Sequence, residues 1–110
     1  MKIKTMAALL LLAPPIAGCA PAVTENNIEL AQKRVRELRR ELMVIDPKIQ
    51  PRSWQEADEA SALAKKYLEK ADREFSSYFH KAETHYFLAL DNIARTERIL
   101  MEIKQNEPAP

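Results

Sequence analysis

The sequence predicts an all-α fold, an antiparallel helical hairpin or a three-helix bundle after a cleaved signal peptide. Three observations carry this. The only glycine among 110 residues is Gly18. Everything after it is built without the residue that tight turns and phosphate-cradling loops recruit for positive φ or close approach. This argues against P-loop, Rossmann and β-rich architectures. Next, Ile28, Ala31, Val35, Leu38, Leu42 and Ile45 fall at alternating steps of three and four. That is an a/d heptad stripe, the mark of a helix seamed against another helix. Finally, Ala57, Ala60, Ala64, Leu68, Ala71, Phe75, Phe79, Ala82, Tyr86, Ala89, Ile93, Leu100 and Ile103 recur on one helical face, with no proline before Pro108.

The chain opens with a basic start, Met1-Lys2-Ile3-Lys4, and an apolar run from Met6 to Ala13. Small residues Ala17 and Gly18 then precede Cys19, the only cysteine. Charged start, short apolar core and small-residue cleavage zone form the layout of a secretory signal over residues 1–18. The run is too short for a membrane span, which needs roughly 20 apolar residues, and Pro14 and Pro15 break it. Ile16-Ala17-Gly18-Cys19 closely resembles the lipobox of bacterial lipoproteins. The resemblance implies a diacylglyceryl thioether on Cys19, cleavage before it, and acylation of the new amino end. A thiolate is the nucleophile such a lipid transfer needs. In a host with two membranes, Ala20 resembles the outer-membrane sorting pattern. The expected location is therefore the cell envelope, lipid-anchored and facing the periplasm.

Residues 19–24 read as a lipidated tether, extended by Pro21. Thr24 suits an N-cap, and Glu25 behind it suits the helix dipole. The first helix should run from Glu25 to Ile45 and stop at Asp46-Pro47, since a residue before proline is pushed out of the α region. Residues 47–52 form a loop. Ser53-Trp54-Gln55-Glu56 fits a capping box, with serine as N-cap and Glu56 at N3. Residues 53–105 then form one helix or two. One helix would be on the order of 80 Å long, and a first helix of roughly 32 Å would cover less than half of its stripe. A turn near Glu74-Phe75-Ser76-Ser77, where two serines offer a cap, gives a compact bundle instead, and we favour it. Residues 106–110 are a polar tail with two prolines. The helical domain spans residues 25–105.

The formal net charge is +1, and loss of Lys2 and Lys4 with the signal brings it to about −1. Nothing in this balance points to nucleic acid. Locally, Lys33, Arg34, Arg36, Arg39 and Arg40 crowd the first helix around one acid, Glu37. They are the candidate binding residues, a patch for an anionic envelope polymer such as peptidoglycan or lipopolysaccharide. The plainer reading is a solvated helix face with pairs such as Glu29 and Lys33. His80 and His85 stand five apart, off one helix face, so no metal site is expected. No grouping of serine, histidine and acid stands out; neither enzyme activity nor a cofactor is expected. Trp54 reads as a cap on the end of the bundle.

Glu56-Ala57-Asp58-Glu59-Ala60, with Ala64, Lys65, Leu68, Ala71, Lys81-Ala82-Glu83 and Ala89 to Ala94, resembles an uncharacterised alanine-rich domain of small envelope lipoproteins. The resemblance implies a helical fold and supplies no catalytic residues. The expected role is structural or scaffolding, with an envelope protein or a second copy bound through helix faces. Val35, Leu38 and Leu42 should pack against the alanine face. Leu38→Ala should then cost about 2–5 kcal/mol. Arg39→Ala, taken to lie opposite the seam, should cost well under about 1 kcal/mol.

Overall fold

A computed structural model of the protein describes residues 23–106. The signal, Cys19 with the first tether residues, and the tail from residue 107 lie outside the described residues. Three helices follow in order: α1 (Glu25–Met43), α2 (Pro51–Glu74) and α3 (Phe79–Gln105). No strand occurs among the described residues, and no described helix is long and apolar enough to cross a membrane.

α1 begins where the sequence places it. The Thr24 hydroxyl accepts from the Asn27 amide at 3.0 Å and satisfies one of the open donors of the first turn. The helix ends at Met43 with Val44 as C-cap, two residues before the expected Ile45. Trp54 takes over there. Its indole nitrogen donates to the carbonyls of Leu42 at 3.1 Å and Ile45 at 3.2 Å, so it closes the end of α1 from the first turn of α2. The capping box at Ser53 does not form. α2 starts at Pro51, with Gln50 as N-cap and no side-chain cap bond. Proline at the first helical position is preorganised in φ, and its missing N–H would have had no partner. The helix therefore starts before Ser53, which falls inside the first turn. The loop is accordingly residues 44–50, and the Gln50 amide donates across it to the Ile103 carbonyl at 3.2 Å.

Residues 53–105 form two helices. The chain turns at Phe75–Ser77 without glycine or proline, and Tyr78, not a serine, is the N-cap of α3. The turn is held by the Tyr78 amide donating to the Glu74 carbonyl at 2.7 Å. What drives it is burial: a continuous helix would leave its apolar stripe in water, whereas the turn folds the stripe onto itself. Ala57, Ala60, Ala64 and Ala71 of α2 and Ala82 and Ala89 of α3 are fully buried. Methyl-sized side chains let the two backbones approach closely, and α2 with α3 is the most extensive of the helix pairs.

α1 lies along this hairpin. Ile28, Ala31, Val35, Leu38 and Leu42 are all buried, and they join Leu68, Ala71, Tyr86, Leu100 and Ile103 in one core. Ile45 is half-buried at its edge. Val23, assigned by sequence to the tether, is packed in the same core, only 7% exposed. The direction of α1 follows from its cross-links. Arg39 meets Asp58 and Trp54 meets Leu42, so α1 is antiparallel to α2. Arg34 meets Glu97 and Glu41 meets Lys104, so α1 is parallel to α3.

Two outcomes follow from this core. Leu38 is 1% exposed, and truncation to alanine should cost about 2–5 kcal/mol in chemical unfolding of the chain from Ala20 onward. Burial also pushes the Tyr86 phenol above its ordinary 10.0. A folded value raised this way leaves stability intact below the unfolded value and removes it as pH rises through the folded one. Unfolding between about pH 9 and about pH 11 should show that loss, and Tyr86→Phe should reduce it.

Candidate docking groove

α1 is flanked by two grooves of opposite character. On the α3 side, Arg34 runs a fork of bonds to the Glu97 carboxylate, 2.9 Å from both Nε and Nη2. Glu37 and Glu41 stand at 3.5 and 3.8 Å from Nη1. The hydrogen bond to Glu97 is the main reason the Arg34 guanidinium is held above its ordinary range. Glu41 also takes Lys104 at 2.9 Å. Each charge here has an opposite partner, and the shallow cleft of about 490 Å³ between Leu38 and Leu100 is neutralised along its walls.

The α2 side differs. An open groove of about 880 Å³ runs between α1 and α2. Val35, Met43, Val44 and Leu68 give it an apolar floor and end. Arg36, Arg39, Arg40 and Lys65 stand along it against a single lining acid, Glu69. Met43 and Val44 are exposed at its mouth, Val44 by 85%. Apolar side chains left in water beside a row of cations fit an amphipathic ligand with acidic groups.

The five candidate residues therefore divide. Arg34 is absorbed into the α3 seam. Arg39 does not lie opposite the seam, as expected, but on its α2 flank. Its guanidinium donates to the Asp58 carboxylate at 3.1 Å, to the Asp58 carbonyl at 3.2 Å and to the Ser61 hydroxyl at 2.6 Å. Ser61 is buried, and its hydroxyl donates to the Asp58 carbonyl at 3.1 Å. Arg39 is thus fixed in place, its charge half-answered by Asp58. Arg36 and Arg40 are exposed and line the groove. Lys33 is exposed outside it, and among the described residues it forms no ion pair with Glu29.

Lys65, Met43 and Val44 are not among the candidate binding residues of the sequence. Lys65 becomes part of the site only through the antiparallel pairing, which no local pattern encodes. Met43 and Val44 line the end of the groove, because α1 stops there and leaves both exposed. His85 stacks on Tyr67, with ring centroids 5.8 Å apart, and its Nδ1 lies 2.5 Å from the Glu74 carboxylate. Among the described residues, no three His, Cys, Asp or Glu side chains gather as a metal site would need.

The chain matches no protein-family model, no curated protein and no solved structure. The groove is read from its own chemistry.

Arg39→Ala should now be costly. It removes a charge-assisted contact to Asp58 and a bond to a buried hydroxyl, at a site about one-third exposed. The loss should be about 1–2 kcal/mol, discounted for solvent screening. Unfolding of Arg39→Ala, Asp58→Ala and the double variant checks it. The cycle should return a favourable coupling, and additive effects would mean the pair is a surface contact only.

Proposed function

We propose that this protein is a lipid-anchored adaptor of the bacterial cell envelope. Cys19 carries the lipid, and the α1–α2 groove docks an acidic amphipathic helix of an envelope protein. The anchor rests on the basic start, the short apolar run and the lipobox-like Ile16-Ala17-Gly18-Cys19. The single observation behind the docking role is the groove itself, apolar along its floor and lined by Arg36, Arg39, Arg40 and Lys65. A helix laid in such a groove buries its apolar face against the exposed Met43 and Val44 and sets its acids against the cations. The role needs no catalytic group, and a structural or scaffolding task in the envelope fits it.

An anionic polymer is the second reading. It rested on five cations acting as a continuous patch. Two of these, Arg34 and Arg39, are engaged within the bundle, which leaves three exposed cations and favours the protein partner.

Lipidation is tested by mass. The mature protein should begin at Cys19 and carry two or three acyl chains. Chains of that number anchor firmly, at about 0.8 kcal/mol for each buried methylene. Cys19→Ser should leave the precursor uncleaved; an unmodified thiol in the wild type would overturn the anchor.

Docking is tested by a photo-crosslinking residue at position 43 in intact cells. It should capture a protein through an acidic amphipathic segment, and Arg36→Glu with Arg40→Glu should abolish the adduct. A crosslinker at the exposed position 98 of α3 serves as the control. The same adducts from both positions would contradict a docking groove. A glycan adduct lost steeply with salt would support the polymer reading, and a second copy of this chain would make the partner the protein itself.

A further inference from the structure

The end of the bundle nearest the anchor is unusual in its exposed aromatics. α1 is antiparallel to α2 and parallel to α3, so the start of α1, the end of α2 and the start of α3 share one end. Glu25 and Glu29 of α1 accordingly lie beside Asp72 of α2. The corner between α2 and α3 is at this end, and it displays Tyr78 at 61% and Phe79 at 44% exposure. Neither ring is loose. Phe79 is braced edge-on against Phe75 with centroids 5.6 Å apart, and the Lys81 ammonium lies 5.1 Å from the Tyr78 ring centre.

The chain between the anchor and this end is short. Val23 is held in the core, and four residues of fully extended chain reach at most about 14 Å from Cys19. A lipid on Cys19 therefore keeps this end of the bundle within about 14 Å of the bilayer surface, close enough for the corner to reach it. Tyrosine, phenylalanine and lysine are suited to that position. An aromatic ring rests at the headgroup level, and a lysine keeps its charge in water beside it. Acids (Glu25, Glu29 and Asp72) and bases (Lys70, Arg73 and Lys81) stand together at this end, so the contact calls for no strongly anionic lipid and depends on the rings.

We propose that the Tyr78–Phe79 corner is a second membrane contact, seated in the lipid interface and fixing the bundle upright on its anchor. The proposal rests on the lipid anchor at Cys19. In this pose the Pro47 loop and the Trp54 end point away from the membrane. The α1–α2 groove then runs along the membrane normal, open to a partner in the periplasm.

The test uses the full lipidated protein in phosphatidylcholine vesicles. Ser77→Cys carries an environment-sensitive fluorophore beside the two aromatics, and Ile49→Cys carries it at the far end, about 36 Å away along α2. Both positions are exposed. In the lipidated protein the Cys19 sulfur is a thioether, so each variant takes one label. The label at 77 should shift to the blue and be quenched by lipids bearing nitroxides near the headgroup, and the label at 49 should not respond. Adding Tyr78→Ser and Phe79→Ser should reduce the quenching at 77 several-fold while helical content stays unchanged. A correct lipidated mass with no quenching at 77, or equal quenching at both positions, would overturn the corner contact and leave the anchor standing. A second label on a free Cys19 would overturn the anchor and the corner contact with it.

Discussion

Four of the core positions of α2, Ala57, Ala60, Ala64 and Ala71, carry only a methyl group and are fully buried. This sets the geometry of the bundle. A helix with a methyl face can be approached closely from more than one direction, and α2 is flanked by both α1 and α3. It also limits the energy. A buried alanine removes little apolar area from water, at roughly 25 cal/mol per Å². The larger apolar side chains must come from the neighbours, and α1 supplies Ile28, Val35, Leu38 and Leu42. The α2–α3 hairpin without α1 would expose much of its apolar face, so the heptad stripe completes the core.

The two flanks of α1 carry different chemistry because α2 and α3 bring different side chains to them. α3 is the longest helix and brings Glu97 and Lys104 to the α1 flank. Arg34 and Glu41 find partners there, and that cleft is electrically closed. Along α2 a single acid, Asp58, pairs with a cation of α1 among the described residues, Arg39. Beyond that pair, Arg36, Arg40 and Lys65 face a groove with one acid.

Much of the fold was legible. The stripe from Ile28 to Leu42 named the buried face of α1 residue by residue, and Thr24 named its start. The turn at Phe75–Ser77 was harder, because it carries no glycine or proline and is set by burial on both sides of it. Ser53 misled because a good local cap competes with a proline two residues upstream, and Pro51 starts the helix first. Arg39 was misread although its heptad position held the answer. With Val35 and Leu38 on the seam, Arg34 and Arg39 fall at the flanking g and e positions, where charges cross to a neighbouring helix. The periodicity thus distinguished these seam-flanking cations from Arg36 and Arg40. The groove was not legible, since Lys65 joins Arg36 and Arg40 only through the register of α1 against α2.

That register rests on α1 being a full member of the bundle. Amide hydrogen exchange across all three helices, measured on the folded protein, tests it most directly. Residues of one cooperative core open together, with free energies near the global value. The amides of Val35, Leu38 and Leu42 should therefore be as protected as those of Leu68 and Ile93. Exchange in α1 faster by orders of magnitude than in α2 and α3 would contradict this. The chain would then be a hairpin with a loosely held first helix, and the groove would lack a fixed wall.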